Sequence, residues 1–332
     1  MTQPLLEASR ISKIYRVGHS PLPWQRRQLQ AVHRVSLTVM AGETLGIVGE
    51  SGCGKSTLGR CLMRLGDISE GTLAFAGADI THLSQRQMRR IRRDMQMVFQ
   101  DPAASLNGRR RIGDLLSDPF RIHEKLTRTE MDSRVRKLLE LVGLRPEHAA
   151  RFPHEFSGGQ KQRIGIARAL ALNPRLVIAD EPVSALDVSI QAQIINLLCD
   201  LRERLGLTYI FIAHDLAVVR QIADRVAVMY LGEIVEIGSA QRLFNHPRHP
   251  YTAALRAAVP RPVVSEQGVE RDSGLIESEL PSPLDPPSGC RFHTRCPYAT
   301  EQCRRASPEL RPDTGMTGDD NAHVACHFPL PA

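Results

Sequence analysis

Apolar and polar residues alternate over Leu6–Val17 and again over residues 31–39, the period-two pattern of half-buried strands. Between them, residues 18–30 hold Pro21, Pro23, Trp24 and a basic pair, and read as a surface loop or small insertion. A short apolar strand, Thr44–Val48, runs into a glycine-rich turn and then a helical segment. Residues 86–93 are densely basic but interrupted by Met88 and Ile91, as on an amphipathic helix. From residue 101 to about 151 the pattern is helical and arginine-rich, with residues 131–142 strongly periodic. Unbroken apolar runs at residues 176–179 and 208–213, and a third at 226–229, predict strands buried on both faces, as in a parallel sheet. Helical segments alternate with these strands, so the predicted core is α/β. After Pro260 the pattern is lost. Residues 261–287 are rich in Pro, Ser, Glu and Gly and predict a linker or an arm wrapped on the main body. There is no internal repeat.

Composition narrows the class. With 332 residues, 42% of them hydrophobic and 24% charged, the chain suits one large globular domain plus an extension, or two domains. No run approaches the roughly 18 apolar residues of a membrane-spanning helix. Residues 1–10 carry acidic and polar residues where a signal peptide needs a basic start and an apolar core, which predicts a cytosolic protein that reaches a membrane only by docking on another subunit. The net charge of +7 raises nucleic acid as a partner. The arginines are spread along the chain and aromatics make up only 5%, so a solvated basic face is expected and no nucleic-acid partner.

Gly49-Glu-Ser-Gly-Cys-Gly-Lys-Ser56 fits the phosphate-loop pattern in its strand–turn–helix setting. Glycines let successive N–H groups point at phosphate oxygens, and the following helix adds its positive dipole end. Gly49, Ser51, Gly52, Cys53, Gly54, Lys55, Ser56 and Thr57 are the expected ATP contacts, Lys55 on the β and γ phosphates and Ser56 on Mg²⁺. The run Leu-Val-Ile-Ala-Asp180-Glu181 is a buried strand ending in two carboxylates. It would put Asp180 on Mg²⁺ and Glu181 on an attacking water.

Further along, Ser157-Gly-Gly-Gln160 followed by Lys161-Gln162-Arg163 resembles the signature motif of ATP-binding-cassette proteins. Gln100 before Asp101-Pro102 resembles that family's Q-loop, Ser184-Ala-Leu-Asp187 its D-loop, His214-Asp215 its H-loop, and Tyr15 its adenine-stacking aromatic. The likeness spans residues 6 to about 239. It implies a P-loop NTPase cassette with a mixed sheet core, an antiparallel β subdomain and a helical subdomain at about 101–165. Two cassettes would pair head to tail, with Ser157, Gly158, Gly159, Gln160 and Asp187 meeting ATP in trans. Glu181 would be the base, His214 would orient the γ-phosphate and water, and Gln100 would join Ser56 and Asp180 at Mg²⁺.

Asn245-His-Pro-Arg-His-Pro-Tyr-Thr252, Leu280-Pro-Ser-Pro283 and Pro286-Pro-Ser-Gly-Cys290 resemble the C-terminal extension of oligopeptide/dipeptide permease ATPases. Tyr230-Leu-Gly232 and Glu181-Pro-Val-Ser-Ala185 look most like the second ATPase subunit of dipeptide permeases. The implied division is a cassette over 1–259 and an extension over 260–332. The implied role is energising uptake of di- or oligopeptides at the cytoplasmic face of the bacterial inner membrane. The partners would be a sister ATPase, two transmembrane permease subunits and, indirectly, a solute-binding protein. Relatives that move nickel chelates or haem, and soluble cassette ATPases acting on DNA or ribosomes, are the alternatives.

Cys290, Cys296, Cys303 and Cys326 are spaced C-x5-C-x6-C and then 22 residues to the fourth. In a reducing cytosol this points to metal rather than disulfides. The close Cys pairs of structural zinc sites are missing. Four thiolates on irregular chain suit a [4Fe–4S] cluster, with a structural role. Similar tails in peptide-permease ATPases imply the same. Zinc with help from His293, His323 or His327, and four free thiols, stay open.

Overall fold

The computed structural model describes residues 3–17, 27–101, 105–259, 280–313 and 322–331. By its internal contacts the chain forms two units, each assembled from separate stretches. One takes in Met1–Leu5, Val39–Thr44 and His82–Ile212, the other Leu6–Thr38, Leu45–Thr81 and Ala213–Ala332.

The first unit is built on parallel strands. Leu176–Asp180 lies between Met95–Val98 and Thr208–Ala213, with Ile178 opposite Met97 on one side and Ile210 on the other. Every residue of Leu176–Asp180 and Thr208–Ala213 is buried, as their unbroken apolar runs require. At about 1.5–3 kcal/mol per buried aliphatic side chain, these strands are the anchor of the unit. Around them lie helices whose buried positions recur at helical spacing. Ile112–His123 buries Ile112, Leu115, Leu116 and Phe120, and Arg128–Leu141 buries Val135, Leu138 and Leu139. Thr127 starts the second of these with a reciprocal cap on Glu130. The basic stretch is a helix, Gln85–Ile91, that buries Met88.

The second unit has two sheets. One orders Arg27–Val39, Leu6–Val17, Glu70–Phe75 and Ala78–Asp79. Its central pair is antiparallel, with Leu6 opposite Phe75. In the other sheet Thr44–Val48 runs parallel to Arg225–Tyr230, which turns at Leu231 and Gly232 into the antiparallel strand Glu233–Ser239. The tail adds to that edge: His323–Val324 pairs antiparallel with Glu233–Ser239 and with Arg311–Pro312. This sheet is therefore mixed.

Among the described residues six strands carry too little pattern to be foreseen, and Ala78–Asp79, Arg311–Pro312 and His323–Val324 are only two residues long. Of the other three, Glu70–Phe75 contains Gly71, Met95–Val98 has four residues, and Glu233–Ser239 sets its two glutamates three residues apart, off a strand's period of two. Residues 27–30, expected in a loop, extend the second strand, and the rest of that loop, 18–26, lies outside the described residues. So does the arm over 260–279. Among the described residues no helix is long and apolar enough to cross a membrane.

Candidate functional site

In the second unit the strand Thr44–Val48 delivers the chain into the loop Gly49–Ser56 and the helix Lys55–Leu62. Gly54 precedes this helix at φ 105°, and a Cβ there would stand 2.1 Å from the Ala31 carbonyl oxygen, so only glycine fits. No side chain caps the helix, which leaves its first amides to the loop. The Lys55 ammonium is buried and donates to the Gly49 and Glu50 carbonyls at 2.6 and 2.9 Å. Cys53, within the loop, is buried. Burial pushes its thiol pKa up, against the opposing pull of Lys55. The loop is gripped from outside by Gly232 N, which donates to the Cys53 carbonyl at 2.8 Å, and by the Tyr251 hydroxyl, which accepts from Glu50 N at 2.9 Å. In the same unit Tyr15 is exposed, with the Lys13 ammonium 5.0 Å from its ring centroid. His214 is exposed too, just past the end of Thr208–Ala213, and the Asp215 carboxylate caps the next helix through Ala217 N.

In the first unit Asp180 ends the central strand, buried to 1%. Glu181 then turns the chain in the left-handed region at φ 46°, which costs a non-glycine residue on the order of 1 kcal/mol. Its amide donates to the Ile212 carbonyl at 3.0 Å, and its carboxylate accepts from Gln100 Nε2 at 2.8 Å. The structure thus brings together the two residues expected at the attacking water and at the metal. Ser184 Oγ donates back to the Glu181 carbonyl at 3.1 Å and holds the turn. Asp187 precedes the helix Val188–Leu205 without capping it by its side chain. Ser157 starts the helix Gly158–Leu170 with a reciprocal cap. Its hydroxyl accepts from Gln160 N, and the Gln160 side chain accepts from Ser157 N at 3.1 Å.

The four tail cysteines converge. Cys290, Cys296, Cys303 and Cys326 line one small cavity with His249, Phe292, His293 and His327. Burial, then neighbouring thiols, push Cys290 and Cys326 up to about 11. Among the described residues no three His, Cys, Asp or Glu side chains stand as a single-ion site. Neither the expected [4Fe–4S] cluster nor the zinc alternative therefore has direct support. Its histidines differ in how far they are engaged. His327 hydrogen-bonds through both ring nitrogens, to Gln302 at 3.2 Å and to the Ala306 carbonyl at 2.8 Å, while His293 Nδ1 is engaged by the Cys290 carbonyl at 2.9 Å. His323 is not at the cavity; it lies on the strand His323–Val324 and lines a separate groove with Ser36 and Glu309. The histidine that sequence reasoning missed is His249. It is wholly buried, burial pushes its pKa down to about 3, and its Nδ1 accepts from Tyr251 N at 3.0 Å. Its only sequence signal is the Asn245-to-Thr252 motif.

Comparison with known proteins decides the family. The model of the ABC transporter family matches residues 32–184, and that of the oligopeptide/dipeptide transporter C-terminal region matches residues 235–303. The oligopeptide transport ATP-binding protein AppF of Bacillus subtilis (strain 168) is 50% identical, over 98% of this chain and 98% of its own length. The chain belongs to the ATP-binding subunits of the oligopeptide/dipeptide ABC transporters. OppF of Salmonella typhimurium (strain LT2) is 53% identical over 86% of each chain, and the di/tripeptide transport ATP-binding protein DppF of Pseudomonas aeruginosa (strain UCBPP-PA14) is 51% identical over 90% of each. The fold of this ABC subunit recurs in the cassette MJ0796, solved as a dimer in a post-hydrolysis state bound to ADP and Pi. The two share 29% identity and a TM-score of 0.63 over 71% of this chain and 98% of that one. This subunit is accordingly an ATPase of the α/β cassette fold, with a mixed sheet and flanking helices. The matched C-terminal region ends at Cys303, so Cys326 lies beyond it.

Proposed function

We propose that this ABC subunit hydrolyses ATP as one half of a cassette heterodimer with a sister ATPase. The pair would dock on two permease subunits at the cytoplasmic face of the bacterial inner membrane and power uptake of di- or oligopeptides delivered by a solute-binding protein. The observation that carries the catalytic part is the Gln100–Glu181 hydrogen bond at the end of a fully buried strand. A carboxylate held there is placed to take a proton from water attacking a phosphoryl group. Lys55 and the loop amides bind the β and γ phosphates, and Tyr15 stacks on adenine. Ser56, Gln100 and Asp180 supply hard oxygen donors of the kind Mg²⁺ takes, and that ion would neutralise phosphate charge. Ser157, Gly158, Gly159, Gln160 and Asp187 serve the partner's nucleotide, and His214 orients the γ-phosphate and water. The working division is a cassette over 1–259, with its helical subdomain at about 101–165 as the permease-docking part, and an extension over 260–332.

Reconstitution tests this reading. With both permease subunits, the sister ATPase and peptide-loaded binding protein in vesicles, ATP turnover should rise at least several-fold over the isolated subunit. Turnover driven instead by DNA, or unmoved by peptide, would contradict it.

The cysteine cavity supports a second assignment, a [4Fe–4S] cluster on Cys290, Cys296, Cys303 and Cys326. A single ion at about 2.3 Å from each sulfur needs its thiolates packed tightly together. A cubane takes four cysteine thiolates, and the four tail cysteines line one cavity. When bound, it would cross-link a segment that has little apolar core of its own. Anaerobically purified protein should be brown and hold about four irons per chain; colourless protein with stoichiometric zinc would overturn the assignment.

A further inference from the structure

The phosphate loop of this subunit carries a carboxylate, Glu50, directly after Gly49. ATP brings several negative charges to such a loop, so an unpaired carboxylate there opposes binding. Glu50 is not unpaired. Arg295 Nη1 donates to its two carboxylate oxygens at 2.9 and 3.1 Å. The Arg295 side chain is only 3% exposed and that of Glu50 20%, so water screens the pair poorly. Arg295 comes from the cysteine-bearing tail, 245 residues further along the chain.

The tail is fixed well enough to hold this arginine in place. Phe292, buried to 2%, packs edge-on against Tyr230 at 5.2 Å between ring centroids and tilts against Tyr251 at 5.4 Å. Tyr230 and Tyr251 themselves meet at 4.7 Å. Arg291 pairs with Glu233 at 2.9 Å and donates to the Leu231 carbonyl. Two of these anchors also touch the loop: the turn after Tyr230 reaches Cys53 through Gly232, and Tyr251 reaches the Glu50 amide. The Glu50 side chain is thus held by the tail itself, and the Glu50 amide and the Cys53 carbonyl by Tyr251 and by the turn after Tyr230, which the tail packs on.

We propose that Arg295 is a positioning residue for ATP binding: it neutralises Glu50, draws that carboxylate out of the phosphate field, and makes the C-terminal extension a brace for the phosphate loop. The proposal rests on the reading of Gly49–Ser56 as the ATP-binding loop. It adds what neither the motif nor the family comparison supplies, a route by which the state of the tail sets nucleotide affinity. The arginine acts through Glu50 and touches no nucleotide itself.

The test is equilibrium binding of fluorescent trinitrophenyl-ATP with Mg²⁺, displaced by ATP, on the full-length chain, with thermal melting alongside. Arg295→Ala should raise the ATP Kd about tenfold, equivalent to ~1.4 kcal/mol. The double variant Arg295→Ala, Glu50→Gln should return it to within about twofold of wild type, because the exposed charge is gone. Should Arg295→Ala not fold, Arg295→Lys takes its place, with a rise of about threefold that Glu50→Gln again relieves. Lys55→Ala is the control for the loop itself. If it weakens binding while Arg295→Ala lowers only the melting temperature, or if Glu50→Gln brings no relief, the brace is wrong. If Lys55→Ala leaves the Kd unchanged, the loop assignment fails instead.

Discussion

Two helices in this ABC subunit begin at glycine-rich turns, and their N-termini are finished in opposite ways. The helix Gly158–Leu170 satisfies itself, with Ser157 and Gln160 bonding each other's backbone amides. The helix Lys55–Leu62 has no side-chain cap and starts from a left-handed glycine. Their glycines differ as well. A Cβ on Gly54 would meet a backbone oxygen at 2.1 Å, whereas one on Gly159 would meet the Ile190 Cγ2 methyl, a side-chain atom, at 2.6 Å. The uncapped, backbone-locked turn is built to hand its amides to an anion from its own chain's side. The capped turn has its third amide taken by Ser157, and the role proposed for it, meeting the partner's phosphate, falls to the Gly158 and Gly159 amides. What separates a nucleotide-binding loop from a signature turn is thus which amides are already taken, more than how much glycine each contains.

Substitutions that invade the first turn should have the largest effect. Gly54→Ala forces a left-handed alanine against a main-chain oxygen; at about 1–2 kcal/mol for the backbone alone, plus the clash, it should abolish ATP binding and lower the melting temperature. Gly159→Ala should separate the turns. The new methyl presses on a β-branched side chain, not on the main chain, so the isolated chain should melt lower than wild type yet bind ATP normally, while turnover in the assembled transporter collapses. If Gly159→Ala weakened ATP binding by the isolated chain, the assignment of that turn to the partner's nucleotide would be lost. The smallest effect belongs to the cap. Ser157→Ala should cost about 1 kcal/mol of stability, read by urea unfolding.

The same contrast governs how much was legible beforehand. The loop, the strand ending in Asp180 and Glu181, and the strand Thr208–Ala213 could be read because each writes its chemistry in consecutive residues. Met95–Val98 could not, since four residues hold no period. The carboxylate–amide contact of Glu181 with Gln100 spans 81 residues, and the motifs order those two residues without joining them. The tail was read from spacing alone. Spacing grouped the four cysteines, which line one cavity, but it also ranked His323 beside them, and the sheet edge carries that residue elsewhere. The ion pair between Arg295 and Glu50 has no local signal at all, because its two charges meet only after the tail has packed on Tyr230 and Tyr251.

The central claim is that Glu181, held by Gln100, activates water for ATP hydrolysis in a paired cassette. Its most direct measurement is steady-state ATP turnover by the assembled transporter carrying Glu181→Gln, with nucleotide binding followed in parallel. The substitution keeps size and shape but removes the base, so turnover should fall about 10²–10⁴-fold while ATP stays bound and the paired form accumulates. Turnover at the wild-type rate with Glu181→Gln would contradict the account.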